Sequence, residues 1–329
     1  MTFIRNLVVF FIILCTIPEG IMGDCSLPSN QYGRFTFVDL FAGIGGFHIA
    51  LHELGGECVY ASEWDKKARM TYEWNFKKVS PELFDHNLFL GDITLEENQA
   101  MIPEDADILC GGFPCQPFSQ AGFKQGFSET RGTLFFSIAK IINEKYPKVV
   151  FLENVRHLLN HDNGNTFEVI RNILENELHY SVFYMVLKAS DYGLPTHRPR
   201  LYIVAFRGDL QIEDFNFPLP IPLEITMSDI LGGYCPKKIG YTLRVGGRGS
   251  GIDDRRNWDA YMVDGKVRYI TSEEAKKVMG FPEEFYFPVS ETQALKQLGN
   301  SVAINPIRMT AENILKVLAN KDSYAIVCK

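Results

Sequence analysis

The chain has little cysteine. Seven residues are scattered over 329, at positions 15, 25, 58, 110, 115, 235 and 328, and none forms a CxxC pair or joins a Cys/His cluster. That excludes a disulfide framework and offers no metal site, so reduced, cytosolic thiols are the simplest reading. Positive charge is not in excess either: the net charge of −7 argues against a nonspecific nucleic-acid coat. Internal repeats and low-complexity tracts are absent, which removes solenoids and disordered scaffolds. The apolar run Leu7–Ile17 is too short for a comfortable membrane span. What remains is an ordinary globular composition, 46% hydrophobic and 22% charged, long enough for one large domain and a small one.

The charge is uneven. Residues 31–110 carry 6 Lys/Arg against 14 Asp/Glu, and residues 237–268 carry 8 against 4. A local basic region on an acidic chain is expected to form a defined polyanion-binding face, unless it is a chance cluster on a solvated surface.

From Phe35 the pattern alternates short apolar runs with helical spacing. RFTFVDLFAGIGGFHIALHELG reads as strand, glycine turn and helix. ECVYASEW, FLGDIT, DADILCGGFPC, KVVFLENV, YSVFYMVLKA and RLYIVAF read as further strands. DKKARMTYEWNF, GTLFFSIAKIINEKYP and NTFEVIRNILENELHY read as helices. Such alternation implies a doubly wound, mostly parallel α/β sheet, which binds ligands beyond the carboxyl ends of its strands. Phe41, Glu63, Asp92, Cys115 and Glu153 fall at those ends. The expected organisation is a leader or N-terminal extension at 1–30, a catalytic and cofactor-binding domain at 31–210, a small β-rich domain at 211–272 with strand-like runs YTLRV, AYMV and KVRYI, and a C-terminal segment at 273–329 that returns to the large domain. That last segment holds one helix in TSEEAKKVMGFP and two more around Gly299-Asn300-Ser301.

The individual residues carry chemistry. FAGIGG is a glycine turn of the nucleotide-binding kind, though such turns also serve strand–helix packing. Glu63 at the end of the next strand suits ribose hydroxyls, Trp64 an adenine face, and Asp92 an adenine amino group. An acid on the ribose with no phosphate-binding lysine motif suits an adenosine ligand without phosphates, such as S-adenosylmethionine. Cys115 stands between Pro114 and Pro117, which limit the backbone, and a polar, glycine-bearing loop suited to a lid follows to Gly132. A thiolate there needs a nearby cation, for which Arg198 and Arg200 are candidates. Glu153 ends an apolar strand, where a carboxyl keeps its proton to higher pH.

FAGIGG, SEW, GDI, GGFPCQPFS, RGTLFF, FLENV, HRPRLYIVAF and QLGNSV, in this order from about Phe35 to Pro306, resemble the motif set of the DNA (cytosine-5)-methyltransferases, notably the small bacterial modification enzymes of the HhaI type. The resemblance implies a Rossmann-like, S-adenosylmethionine-dependent methyltransferase sheet with a target-recognition domain. It implies that Phe41, Gly43, Ile44, Gly45, Gly46, Glu63, Trp64, Asp92, Ile93, Pro114, Leu134, Asn300 and Ser301 hold the cofactor. Cys115 is then the nucleophile, Glu153 the proton donor, and Arg198 and Arg200 the anchors of a flipped cytosine. Gln116 and Ser119 contact DNA, and Arg244, Arg248, Arg255, Arg256 and Asn257 offer groups to bases or phosphates, with about half of these arginines expected instead to pair with Asp253, Asp254 and Asp259.

The expected partners are double-stranded DNA and a cognate restriction endonuclease acting separately, with no stable membrane association and a monomeric protein. Two alternatives stand beside this reading. A tRNA-methylating branch on the same scaffold carries a Cys-Phe-Thr tripeptide absent here, and a non-catalytic DNA-binding relic is expected to have lost Cys115 or Glu153. The leader, with Arg5 before its apolar run and Gly23 as a cleavage candidate, resembles a secretory signal. Export would give a reactive thiol neither cofactor nor DNA, so a cytoplasmic protein starting at Met22 is expected.

Overall fold

The computed structural model describes residues 32–114 and 134–327. The leader with Met22, and Cys115, Gln116, Ser119 and the loop to Gly132, lie outside the described residues.

The apolar run Phe35–Leu40 forms strand β1, and the glycine turn after it leads into α1 (Gly46–His52). β2 (Gly56–Ser62) follows. Asp65 then starts α2 (Lys66–Phe76) by accepting the free amides of Lys67 and Ala68 at 3.0 and 2.8 Å. Short helices α3 (Pro81–Asp85) and α4 (Glu96–Ala100) flank β3 (Phe89–Leu90). β4 (Ile108–Gly112), α5 (Leu134–Lys145), β5 (Val149–Val155), α6 (Asn165–Asn172), β6 (Tyr180–Lys188) and β7 (Pro199–Arg207) complete the large unit.

The seven strands lie in the order β3-β2-β1-β4-β5-β7-β6. The first five are parallel, and β7 runs antiparallel to both β5 and β6. Alternate residues of β1 enter separate cores: Phe35 and Phe37 pack with α1, α2 and the C-terminal helices, Val38 and Leu40 with α5 and α6. Burial on both faces explains the unbroken apolar runs in the sequence. The chain leaves β1 toward β2 and β3, then crosses back to β4. That reversal opens a crevice beyond the carboxyl ends of β1 and β4, where a doubly wound sheet binds its ligands.

Beyond β7 the chain forms α7 (Met227–Leu231) and the antiparallel hairpin β8 (Ala260–Val263) and β9 (Lys266–Tyr269). Asp264 and Gly265 turn that hairpin with φ of 48° and 74°, the two positive values a tight two-residue hairpin needs. The small region is less β-rich than expected: AYMV and KVRY are strands, YTLRV is not. Its backbone is held instead by the segment before β7. His197 N–H donates to Gly240 O at 2.9 Å, and Thr196 Oγ1 to Tyr241 O at 2.9 Å. Leu243, Trp258 and Tyr261 join the core that packs α1 and α2, so the two regions share one interior. α8 (Ser272–Val278), α9 (Glu291–Asn300) and α10 (Ile304–Val327) close the chain, with α10 packed on α1. Among the described residues no helix is long and apolar enough to cross a membrane.

Candidate active site

A cleft of ≈ 720 Å³ lies at the crevice. Phe41, Gly43, Ile44, Glu63, Trp64, Asp92, Ile93, Pro114, Leu134, Asn300 and Ser301 line it, together with Glu153, Arg198 and Arg200. Residues drawn from six strand ends and from the far C-terminus thus converge on one cleft.

Glu63 organises the cofactor end. Its Oε2 accepts the Gly43 amide at 2.8 Å and its Oε1 the Asp65 amide at 2.7 Å, which ties the glycine turn to the end of β2. Burial pushes its carboxyl up, opposed by these amides. Each carboxylate oxygen keeps a further lone pair for a ligand hydroxyl. Trp64 stands 79% exposed at the rim, an open aromatic face. Asp92 uses Oδ1 to hold Thr94 at 2.8 and 2.9 Å. An acid with spare acceptors, an exposed indole and a second carboxylate fit ribose, adenine face and adenine amino group, so the cleft suits S-adenosylmethionine.

Two of the expected cofactor residues act behind the wall. Gly45 and Gly46 do not line the cleft. Gly45 has φ of 87°, and a Cβ on it would meet the Phe76 ring at 2.1 Å. A Cβ on Gly46 would meet Val302 Cγ2 at 2.4 Å. These glycines let α1 approach α2 and the turn after α9, a packing role.

At the other end, Glu153 is 7% exposed and sits at the floor. Strand register sets it opposite Gly112 of β4 and Tyr202 of β7. Arg200 Nε lies 2.9 Å from Glu153 Oε1. Burial pushes the Glu153 carboxyl up, while Arg200 and Arg198 pull it back. The neighbouring Asn154 donates to Phe113 O at 2.8 Å, holding the backbone one residue before Pro114.

Arg198 differs from expectation. It is 2% exposed, and its guanidinium donates to Leu243 O at 3.2 Å, to Gly299 O at 3.1 Å and to Ser301 O. Only Nε, buried, lacks a partner. Arg198 therefore joins the segment before β7 to the small region and to the turn that closes the cofactor end. Burial and Arg200 pull its pKa down to about 9, still protonated at neutral pH. Arg200 is less committed: beside its ion pair with Glu153, its Nη1 donates to Pro199 O at 2.9 Å.

The small region divides as well. Arg256 pairs with Asp254 at 2.8 Å and Arg248 approaches Asp259 at 4.0 Å, whereas Arg244 and Arg255 are exposed and make no ion pair among the described residues. Asn257 is no DNA reader. It is 6% exposed, donates to Ile252 O and Ala260 O, and accepts from the Ala260 amide. With Trp258 Nε1 on Gly246 O and Asp259 on the Gly249 amide, it scaffolds the loop that carries the arginines.

Sequence reading missed three side chains. Gln297 accepts from Thr71 Oγ1 at 3.0 Å, bridging α9 to α2, and leaves a buried amide nitrogen unpartnered in the lining. Ser62 Oγ is likewise buried, unpartnered and in the lining. Arg69 binds Glu63 O at 3.1 Å, Phe89 O at 3.0 Å and Leu90 O, fixing the ends of β2 and β3. The only sequence signal for them was proximity to SEW, GDI and QLGNSV.

Comparison with known proteins places the chain in a family. The chain matches the C-5 cytosine-specific DNA methylase family over residues 35–245 and 238–316. It is 42% identical over 327 residues to the Type II methyltransferase M.HhaI of Haemophilus parahaemolyticus, covering 88% of this chain and 96% of that one. To M.HpaII of Haemophilus parainfluenzae it is 40% identical over 338 residues, covering 88% and 92%. The fold resembles that of a Spodoptera frugiperda DNMT2 mutant, with a TM-score of 0.60 at 20% identity over 86% of this chain and 99% of the other. On motif order, cleft and sequence identity together, the chain belongs to the C-5 cytosine-specific DNA methylases.

Proposed function

We propose that this DNA cytosine-5 methyltransferase, whose methyl donor is S-adenosylmethionine, works by placing a flipped cytosine between Cys115, Glu153 and Arg200. The observation that carries the reading is Glu153, a carboxyl buried at the cleft floor, raised in pKa by burial and held by Arg200 at 2.9 Å.

Carbon-5 of cytosine is a poor nucleophile. Addition of the Cys115 thiolate at carbon-6 moves electrons into the ring, and a proton donated by Glu153 to N3 neutralises the charge that builds there. When bound, S-adenosylmethionine supplies the electrophilic methyl that carbon-5 takes. Loss of the carbon-5 proton to a base then expels the Cys115 sulfur as thiolate, and N3 returns its proton to Glu153, which restores the neutral ring. Arg200 orients Glu153 and the base, and Arg198 holds the wall. A stacked duplex hides the reacting carbons, so the base must leave the helix.

Relatives named Type II methyltransferases support a sequence-specific modification role, protecting DNA beside a separate cognate endonuclease. The chemistry suits a cytoplasmic monomer, since one DNA site needs one catalytic domain.

The test is transfer of labelled methyl by purified protein to unmethylated duplex DNA and to bulk tRNA, beside Cys115→Ser. Label is expected in DNA as 5-methylcytosine and absent in the serine variant. Label in tRNA alone would move the protein to the RNA-modifying branch, and label in neither would make it a relic.

A further inference from the structure

Helix α2 carries apolar side chains on its open face. Met70 is 52% exposed, and Trp74, one turn on, is 63% exposed. Tyr286, from the segment between α8 and α9, is 53% exposed and lies against Trp74, with ring centres 5.1 Å apart and planes tilted by 40°. The pair is held in place. Asn75 Nδ2 donates to Tyr286 O at 2.8 Å, and the Tyr286 amide donates to Asn75 Oδ1 at 2.9 Å, which pins the tyrosine backbone to α2. On either side of Tyr286, Phe285 and Phe287 are buried, with rings 5.2 Å apart, and Lys276 Nζ donates to Glu283 O and Phe285 O at 2.7 and 3.0 Å. The fold thus turns one ring outward between two that turn in. Apolar residues scattered singly on a surface need no explanation, but three gathered on one face and fixed there do.

Cations frame this face. Lys66 and Lys67 open α2 and Lys78 follows its last turn; all three are exposed and make no ion pair among the described residues. Of the acids nearby, Asp65 is spent on the helix cap and Glu73 on Lys77 at 3.1 Å. Glu283 and Glu284 are exposed on the turn before Phe285, and Glu284 lies by Glu53 at the end of α1. The helix is about 16 Å long at the ordinary rise. At about 3.4 Å per stacked nucleotide, lysines at its two ends reach phosphates about five nucleotides apart. The face begins just past Trp64, Asp65 and Ala68, which line the catalytic cleft, whereas Met70, Trp74 and Tyr286 lie outside that lining.

We propose that this face is a second nucleic-acid site, outside the catalytic cleft, that binds single-stranded DNA without reading its sequence. Bases stack on Trp74 and Tyr286, and Lys66, Lys67 and Lys78 hold phosphates. The chain belongs to a DNA-modifying family, so DNA is a polyanion it meets. A duplex keeps its base faces against one another, and only an unpaired strand can give them to an aromatic ring. An acidic peptide would need apolar anchors matched to these particular rings, whereas every base has a π-face. The site goes beyond the methyl-transfer reading and uses neither Cys115 nor Glu153.

The probe is a labelled oligothymidylate of about twelve nucleotides, within the site sizes of such platforms. It is added to the full chain saturated with S-adenosylhomocysteine and followed by anisotropy and by quenching of tryptophan emission. Wild type is expected to bind it and to lose emission. Trp74→Ala and Tyr286→Ala are each expected to weaken binding by about 5- to 150-fold, the range for one lost stacking contact, with thermal melts showing that both variants fold. Lys67→Gln and Lys78→Gln are each expected to flatten the log–log salt dependence by about 0.7, one phosphate contact on a single strand. Equal binding by wild type and the aromatic variants, or an unchanged salt slope in both lysine variants, would overturn the proposal. Complete displacement of the oligothymidylate by a short duplex would also overturn it, since the strand would then lie in the catalytic cleft. So would Trp74-dependent binding of a polyglutamate peptide or of phosphatidylglycerol vesicles in place of the oligothymidylate, which would give the face to an acidic protein or to a membrane.

Discussion

Arg198→Lys separates two roles that the sequence could not. In the structure Arg198 satisfies three backbone carbonyls, at Leu243, Gly299 and Ser301. Lysine keeps the charge, but its single ammonium on a flexible stem cannot replace the planar fork that spans them. Hydrogen bonds from charged donors contribute about 1.5–3 kcal/mol each, and a buried carbonyl left alone costs about 1–3 kcal/mol. Losing two of three, with partial relaxation, gives a destabilisation of about 3 kcal/mol, or a fall in Tm of roughly 4–5 °C for a chain of this size. Two of the carbonyls belong to the turn at Gly299–Ser301, whose Asn300 and Ser301 line the cofactor end. If about half of the loss falls on that turn, affinity for S-adenosylhomocysteine drops about tenfold. Calorimetric titration and a thermal melt read both quantities. The reasoning is refuted if melting and cofactor affinity stay at wild-type values while kcat collapses, because Arg198 would then be acting on the base.

Two further outcomes follow from the cleft. Glu153→Gln is expected to lower kcat by about 10²–10⁴, the range for removing a general acid, with duplex binding retained in a gel-shift assay. Burial raises the folded Glu153 pKa above its unfolded value, so between the two the native state holds the extra proton and stability falls as pH rises; urea melts across that window should lose this slope in the glutamine variant. Gly45→Ala places a Cβ against the Phe76 ring at a positive φ, and should lower stability by about 2–4 kcal/mol in denaturant titration while leaving cofactor affinity per folded molecule intact.

Much of this site was legible because strand ends are legible. Short apolar runs buried on both faces stop where the first polar residue meets the crevice, and Glu63, Asp92 and Glu153 stand at such stops. The two neighbouring glycine roles were not separable. Gly43 meets the cleft because its amide faces Glu63, while Gly45 and Gly46 are shaped by Phe76 and Val302, contacts set by the fold rather than by the glycine spacing. Asn257 misled for a related reason. Beside two arginines it looked like part of a polar reading surface, yet the burial of Trp258 and Asp259 next to it carries the whole segment inward.

The basic stretch shows how a correct charge balance can point to the wrong residues. Residues 237–268 carry 8 basic side chains against 4 acidic ones. Folding removes Arg256 through Asp254 two positions away, Arg248 through the buried Asp259, and Arg268 through Glu274 on α8, outside the stretch altogether. Paired cations are already partly screened and would lose those partners on meeting a phosphate, so they add little to DNA affinity. The cations left without an ion pair among the described residues are Lys237, Lys238, Arg244, Arg255 and Lys266, spread along the stretch rather than gathered in its arginine-rich loop. A polyanion that approaches this acidic protein therefore meets five unpaired cations in the stretch, not eight, and the salt dependence of DNA binding is expected to reflect the smaller number.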